Sequence, residues 1–88
     1  MEFRYRDIVL DELSRHGVRP SHDTPPDLIH EFINDLYVIE IRALRNQVRA
    51  GVIRKQDLAS RVKQLRKRYF LLSVPIQEWT ERTLTESG

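Results

Sequence analysis

An all-α domain is the fold class this chain predicts, and three observations predict it. Tyr37, Ile41, Leu44 and Val48 recur at spacings of four, three and four, and Leu58, Val62, Leu65 and Tyr69 repeat that pattern. Such a narrow apolar seam belongs to a helix that packs on one neighbour. Gly51 lies between the two runs, and the pairs Val48/Leu58, Leu44/Val62, Ile41/Leu65 and Tyr37/Tyr69 are all centred on residue 53. The pattern predicts a three-helix domain built on a long antiparallel helical hairpin, 25 to 69, with a short C-terminal fourth helix.

The first helix is expected over residues 3 to 16, with Phe3, Val9, Leu10 and Leu13 on one side and Asp7, Asp11 and Arg15 on the other. Gly17 supplies the residue that leaves a helix most easily through a left-handed conformation. VRPSHDTPPD then interrupts the periodicity, and Thr24 followed by Pro25, Pro26 and Asp27 resembles a capping box with prolines in the first turn. From Pro25 the second helix is expected to run to Ala50.

At about 100° per residue, Leu28, Phe32, Leu36 and Ile39 form a second apolar set on this helix, with Ile29 and Ile33 bridging it to the first. The combined arc is roughly 220°, whereas one contact stripe needs about 100°. A single partner cannot cover it, so the second helix is central and the first is expected to cover its other side. Ile53 and Leu58 suggest a staple at the start of the third helix, with Arg54 as a poor cap. Phe70 to Val74 is expected to run extended, and Pro75 to about Arg82 to form the short last helix with Ile76 and Trp79 inward.

With 88 residues the chain is expected to be one domain, residues 1 to 84, with a tail at 85 to 88. It contains no cysteine, which excludes disulfides and thiolate zinc sites. No run approaches the roughly 20 apolar residues that span a bilayer, and the first residues lack a secretory apolar core. The expectation is a soluble cytoplasmic protein with no membrane association.

Charge is unevenly spread. Residues 1 to 41 hold four Arg against nine acids, a net of −5, while residues 42 to 68 hold ten Arg or Lys against Asp57, a net of +9. The basic set is Arg42, Arg45, Arg49, Arg54, Lys55, Arg61, Lys63, Arg66, Lys67 and Arg68. Its density suits nucleic-acid phosphates, whose neutralisation releases counterions. Its dispersal around the third helix, with no aromatic platform among the bases, suits an ordinary solvated surface.

Glu40 falls inside the apolar arc, where a carboxylate needs a partner. It is expected to form a structural buried ion pair with Arg68 or Arg61, fixing hairpin register. A general acid or base is the other reading of Glu40, although no second catalytic group accompanies it. His22, Asp23, Asp27 and His30 could approach one another, but His16, His22 and His30 fit no metal-binding spacing, and no serine or glycine context suggests a nucleophile or a phosphate loop. No cofactor and no metal are expected. The leading functional reading is therefore a non-catalytic protein-interaction or oligomerisation module, with another protein or a second copy as partner, nucleic-acid binding through residues 42 to 68 as the alternative and a small helical enzyme as the third.

Overall fold

The structure, a computed structural model, describes residues 2–81. It is all-α: helix α1 spans Asp7–Arg15, α2 spans Pro26–Arg49 and α3 spans Leu58–Arg68, with single 3₁₀ turns at Lys55–Asp57, Phe70–Ser73 and Ile76–Glu78. No helix among the described residues is long and apolar enough to cross a membrane. The expected tail at 85 to 88 and the end of the expected fourth helix at Arg82 lie outside the described residues.

Each helix boundary has a local cause. Pro25 lacks an amide hydrogen and sits at φ −65°, ψ 137°, so α2 begins at Pro26 without a side-chain cap. Thr24 caps nothing, because its hydroxyl instead accepts from the Ser21 amide at 3.0 Å. Gly17 and Gly51, at φ 74° and 77°, end α1 and α2 in the left-handed region that only glycine enters without strain. Arg54 precedes the 3₁₀ turn in extended conformation and closes it with an Nε bond to Asp57 at 3.1 Å, rather than by capping.

Three expected elements differ. Residues 3 to 6 do not join α1: the Phe3 amide donates to the His22 carbonyl at 2.7 Å, and Arg4 to Arg6 lie against Trp79 to Glu81 in an isolated antiparallel bridge between Tyr5 and Thr80. That pairing holds Tyr5 in the core and draws the chain out of helix after Trp79, so the fourth helix is reduced to the turn Ile76–Glu78. Phe70 to Ser73 is likewise a 3₁₀ turn, not an extended run. With three residues per turn, Leu71 and Val74 face one side together, and Leu71 becomes buried while Val74 packs at the core's edge.

The molecule is elongated, 58 × 19 × 17 Å with a radius of gyration of 16.4 Å, against about 12 Å for a compact chain of this length. Its main core gathers Tyr5, Val9, Leu13, Ile29, Ile33, Leu65, Tyr69, Leu71 and Trp79. These come from the residues before α1, α1 itself, the first third of α2, the end of α3 and the segment after it. The rest of α2 and of α3, which are in contact, and the Gly51 turn between them make up an arm in which Ile53 is buried. The arm carries most of the positive charge.

α1 does not cover the second apolar set of α2. It rests on the Phe70–Ser73 turn, which in turn lies on α2. Ile29 and Ile33 are buried by this arrangement, but Leu28, Phe32 and Ile39 remain 59%, 48% and 61% exposed. The ten-residue segment after α3 supplies two buried anchors, Leu71 and Trp79, and occupies the place the sequence assigns to the first helix.

Candidate functional site

Three features outside the core carry chemistry: a polar groove between α2 and α3, the basic residues of the arm, and the uncovered stripe of α2. The groove, of about 220 Å³, is floored by Ala43, Leu44 and Leu65 and rimmed by Glu40, Gln47, Arg61, Gln64 and Arg68. Glu40 accepts from Arg68 Nη1 through Oε1 at 3.0 Å and from the Tyr69 hydroxyl through Oε2. Arg61 lines the same groove without pairing with Glu40.

This corrects the expected buried ion pair. The Glu40 and Arg68 side chains are 37% and 62% exposed, because among the described residues none lies over the groove that they rim. The buried partner is Tyr69, which helical spacing marks only as apolar. Tyr69 stacks on His16 with ring centroids 4.6 Å apart and meets Tyr37 edge-on at 5.4 Å. His16 Nε2 donates to the Arg68 carbonyl at 3.1 Å, holding the end of α1 against the end of α3.

Burial pushes the Tyr69 hydroxyl up to about 12, and its hydrogen bond to the Glu40 carboxylate and that carboxylate's charge act in the same direction, with Arg68 opposing. Because the folded value lies above the ordinary value of 10.0, the stabilisation is complete below that pH and is lost as pH rises toward about 12. Thermal melts between those limits should therefore fall, and Tyr69→Phe should flatten the fall. Tyr5, also raised by burial and by Asp27, should account for part of what remains. Glu40→Gln should lower the Tyr69 titration, read as tyrosinate absorbance, while costing only about 0.5–1 kcal/mol near neutrality, since a half-exposed pair is screened by water.

Among the described residues Glu40 is engaged by a guanidinium and a phenol, and no other titratable side chain bonds to it. His22 approaches Asp23 at 3.4 Å, and His30 lies tilted on Trp79 at 5.5 Å, so the loop histidines are drawn apart. Among the described residues no three His, Asp or Glu side chains are placed to hold a metal ion.

The ten basic residues are all exposed, but they do not converge. Arg61 and Arg68 flank one side of the α2 and α3 contact, Arg45 and Arg66 line a groove on its other side with Tyr37, Ile41, Leu58 and Val62, and Lys55 and Lys63 sit beside Leu58, Ala59 and Val62 on α3. Arg54 is paired with Asp57 and Arg68 with Glu40. Arg42, Arg45, Arg49, Lys55, Arg61, Lys63, Arg66 and Lys67 form no ion pair among the described residues.

No protein-family model, curated protein or solved structure matches the chain. The surfaces themselves must carry the functional argument.

The stripe is the feature that helical periodicity marks as apolar and misassigns to the interior. Leu28, Phe32 and Ile39 fall within about 40° of one another around α2, and each is at least 48% exposed. Leu36 and Ala43 extend the stripe at its edge. Isolated exposed apolar residues are ordinary, whereas an aligned set along one helix face marks a contact surface.

Proposed function

We propose that this chain is a non-catalytic helical interaction module that binds another polypeptide through the exposed face of α2. The observation that carries the reading is the alignment of Leu28, Phe32 and Ile39 at 59%, 48% and 61% exposure. All three sit on a rigid helix of 24 residues anchored at its base by Ile29 and Ile33. A preformed helix face of this kind offers apolar anchors at i, i+4 and i+11, the pattern by which helices dock in grooves or on one another. In this reading α2 and α3 form an antiparallel hairpin that keeps α2 straight and presents its outer side. The Glu40 to Arg68 and Tyr37 to Tyr69 contacts support that pairing.

A photo-crosslinking residue placed at Phe32 tests the reading against the same residue placed at Ser60, exposed on α3. Discrete protein adducts are expected from position 32 and not from position 60. Equal labelling at both, or none at 32, would remove the interaction surface from α2.

A second reading rests on the eight unpaired basic residues of the arm. Binding of mixed-sequence RNA or DNA through six or more phosphates would fall steeply with salt. Anisotropy titrations at low and moderate salt decide it: binding that is absent at low salt, or indifferent to salt, excludes the arm as a nucleic-acid surface.

A further inference from the structure

The uncovered face of α2 has the charge pattern of a surface that fits itself. We infer that its partner is a second copy of this chain, joined through an antiparallel α2 to α2 contact about a twofold axis between Asp35 and Leu36. The inference rests on the proposed interaction role and names the occupant of that surface.

Three observations carry it. First, the face is free along the helix. Tyr37, Ile41 and Leu44, on the side of α2 that meets α3, lie roughly opposite Leu28 and Ile39 around the helix, so a second helix seated on the stripe comes to the groove beside α3 only at Ala43.

Second, the apolar positions are complementary about one centre. With the axis between residues 35 and 36, Phe32 lies opposite Ile39 of the other copy and Leu28 lies opposite Ala43, so each large side chain meets an apolar one. Leu28, Phe32, Asp35, Ile39, Arg42 and Asn46 follow the four and three spacing that lets two helices stay in contact over several turns.

Third, the flank of the stripe changes sign at the same centre. Asp27, Glu31, Asp35, Arg42, Arg45 and Arg49 lie on one side of the stripe, the acids all before residue 36 and the arginines all after it. All six are exposed, and none forms an ion pair within the chain among the described residues. In an antiparallel pair the same flank of each helix meets its counterpart, so Glu31 faces Arg42, twice. A parallel pair would bring like charges to like heights along the two helices. Asp35 is the exception, since it lies at the axis and approaches its own copy.

Three large apolar side chains per copy are fewer than a stable interface of about 800 Å² per partner requires. The dimer is accordingly expected to be reversible and concentration-dependent, with charge contributing to its orientation.

Sedimentation equilibrium over a wide concentration range tests the inference. The full chain is expected to form a reversible dimer that weakens with salt, and Phe32→Asp to weaken it at least tenfold without changing the helical circular dichroism of the monomer. Glu31→Arg and Arg42→Glu should each weaken self-association, whereas an equimolar mixture of these two variants should recover it as a heterodimer, because both flanking contacts become attractive again. Asp35→Asn should tighten the dimer. A chain that stays monomeric at millimolar concentration, a dimer indifferent to Phe32→Asp, or a mixture no tighter than its components overturns the inference. If the chain is monomeric and Phe32 still crosslinks to a different protein, the interaction role stands and only the second copy is lost.

Discussion

Trp79→Ala should destabilise the protein by about 3–5 kcal/mol, the usual cost of removing a fully enclosed large aromatic side chain. Trp79 is 0% exposed and belongs to the main core with Val9, Leu13, Ile33 and Leu71. Its indole Nε1 donates to the Val74 carbonyl at 3.2 Å, and its own carbonyl accepts from the Arg6 amide at 3.0 Å. One residue thus closes the C-terminal turn and pins the N-terminal segment. Against a total stability of about 5–15 kcal/mol for a domain, the loss leaves a marginal fold. Urea titration followed by circular dichroism at the helix band measures it, since the substitution removes the chain's single tryptophan. A midpoint displaced by the equivalent of less than about 1 kcal/mol would show that the segment after α3 is not what closes the core.

Ile33→Ala should cost about 2–5 kcal/mol, while Phe32→Ser, one residue away, should change the stability of the dilute monomer by no more than about 0.5 kcal/mol. The contrast is physical. Ile33 is 0% exposed and loses both its transfer free energy and its packing partners when truncated, whereas Phe32 is 48% exposed and is not part of the core. Denaturant melts of the two variants at low concentration compare them directly. At high concentration the second variant should also reduce association, which gives it an effect on binding that it lacks on folding. Similar losses for both substitutions would mean that the outer face of α2 is covered within the monomer.

The helices themselves are legible because their causes are local. Pro25 and Pro26 open α2, Gly51 terminates it, and apolar spacing marks α3, so these elements lie within a few residues of expectation. The ends of the chain were less legible. Phe3 to Arg6 has enough apolar character to continue α1 by pattern, but the Phe3 amide is taken by His22 and the backbone of Arg4 to Arg6 by the residues from Trp79 to Glu81, some 75 positions away. Nothing in the local periodicity of either segment encodes that pairing.

Glu40 illustrates the same division at the candidate site. Its angular position marks a carboxylate between two apolar sets and offers Arg68 or Arg61 as its partner, but its burial, and which arginine it meets, depend on how α3 is set against α2. The structure leaves the groove open, so the pair is half-exposed and the enclosed group is Tyr69. The basic residues show the limit from the other side: their density is visible in the chain, and their distribution over several faces of the arm is decided only once α3 is set against α2.

By itself the sequence determined that the protein is helical, where its long helices begin and end, and that its positive charge is concentrated in one stretch, because prolines, glycines and a residue's neighbours three and four positions away act within a few turns. Only the tertiary structure decided which side of α2 is covered. Two segments are available to cover that helix, α1 and the chain after α3; the turns after α3 lie against it with Leu71 and Trp79 buried, while α1 rests on the first of those turns. That choice buries Ile29 and Ile33 and leaves Leu28, Phe32 and Ile39 facing water, which no spacing along the chain can distinguish, since all five are apolar positions of the same helix.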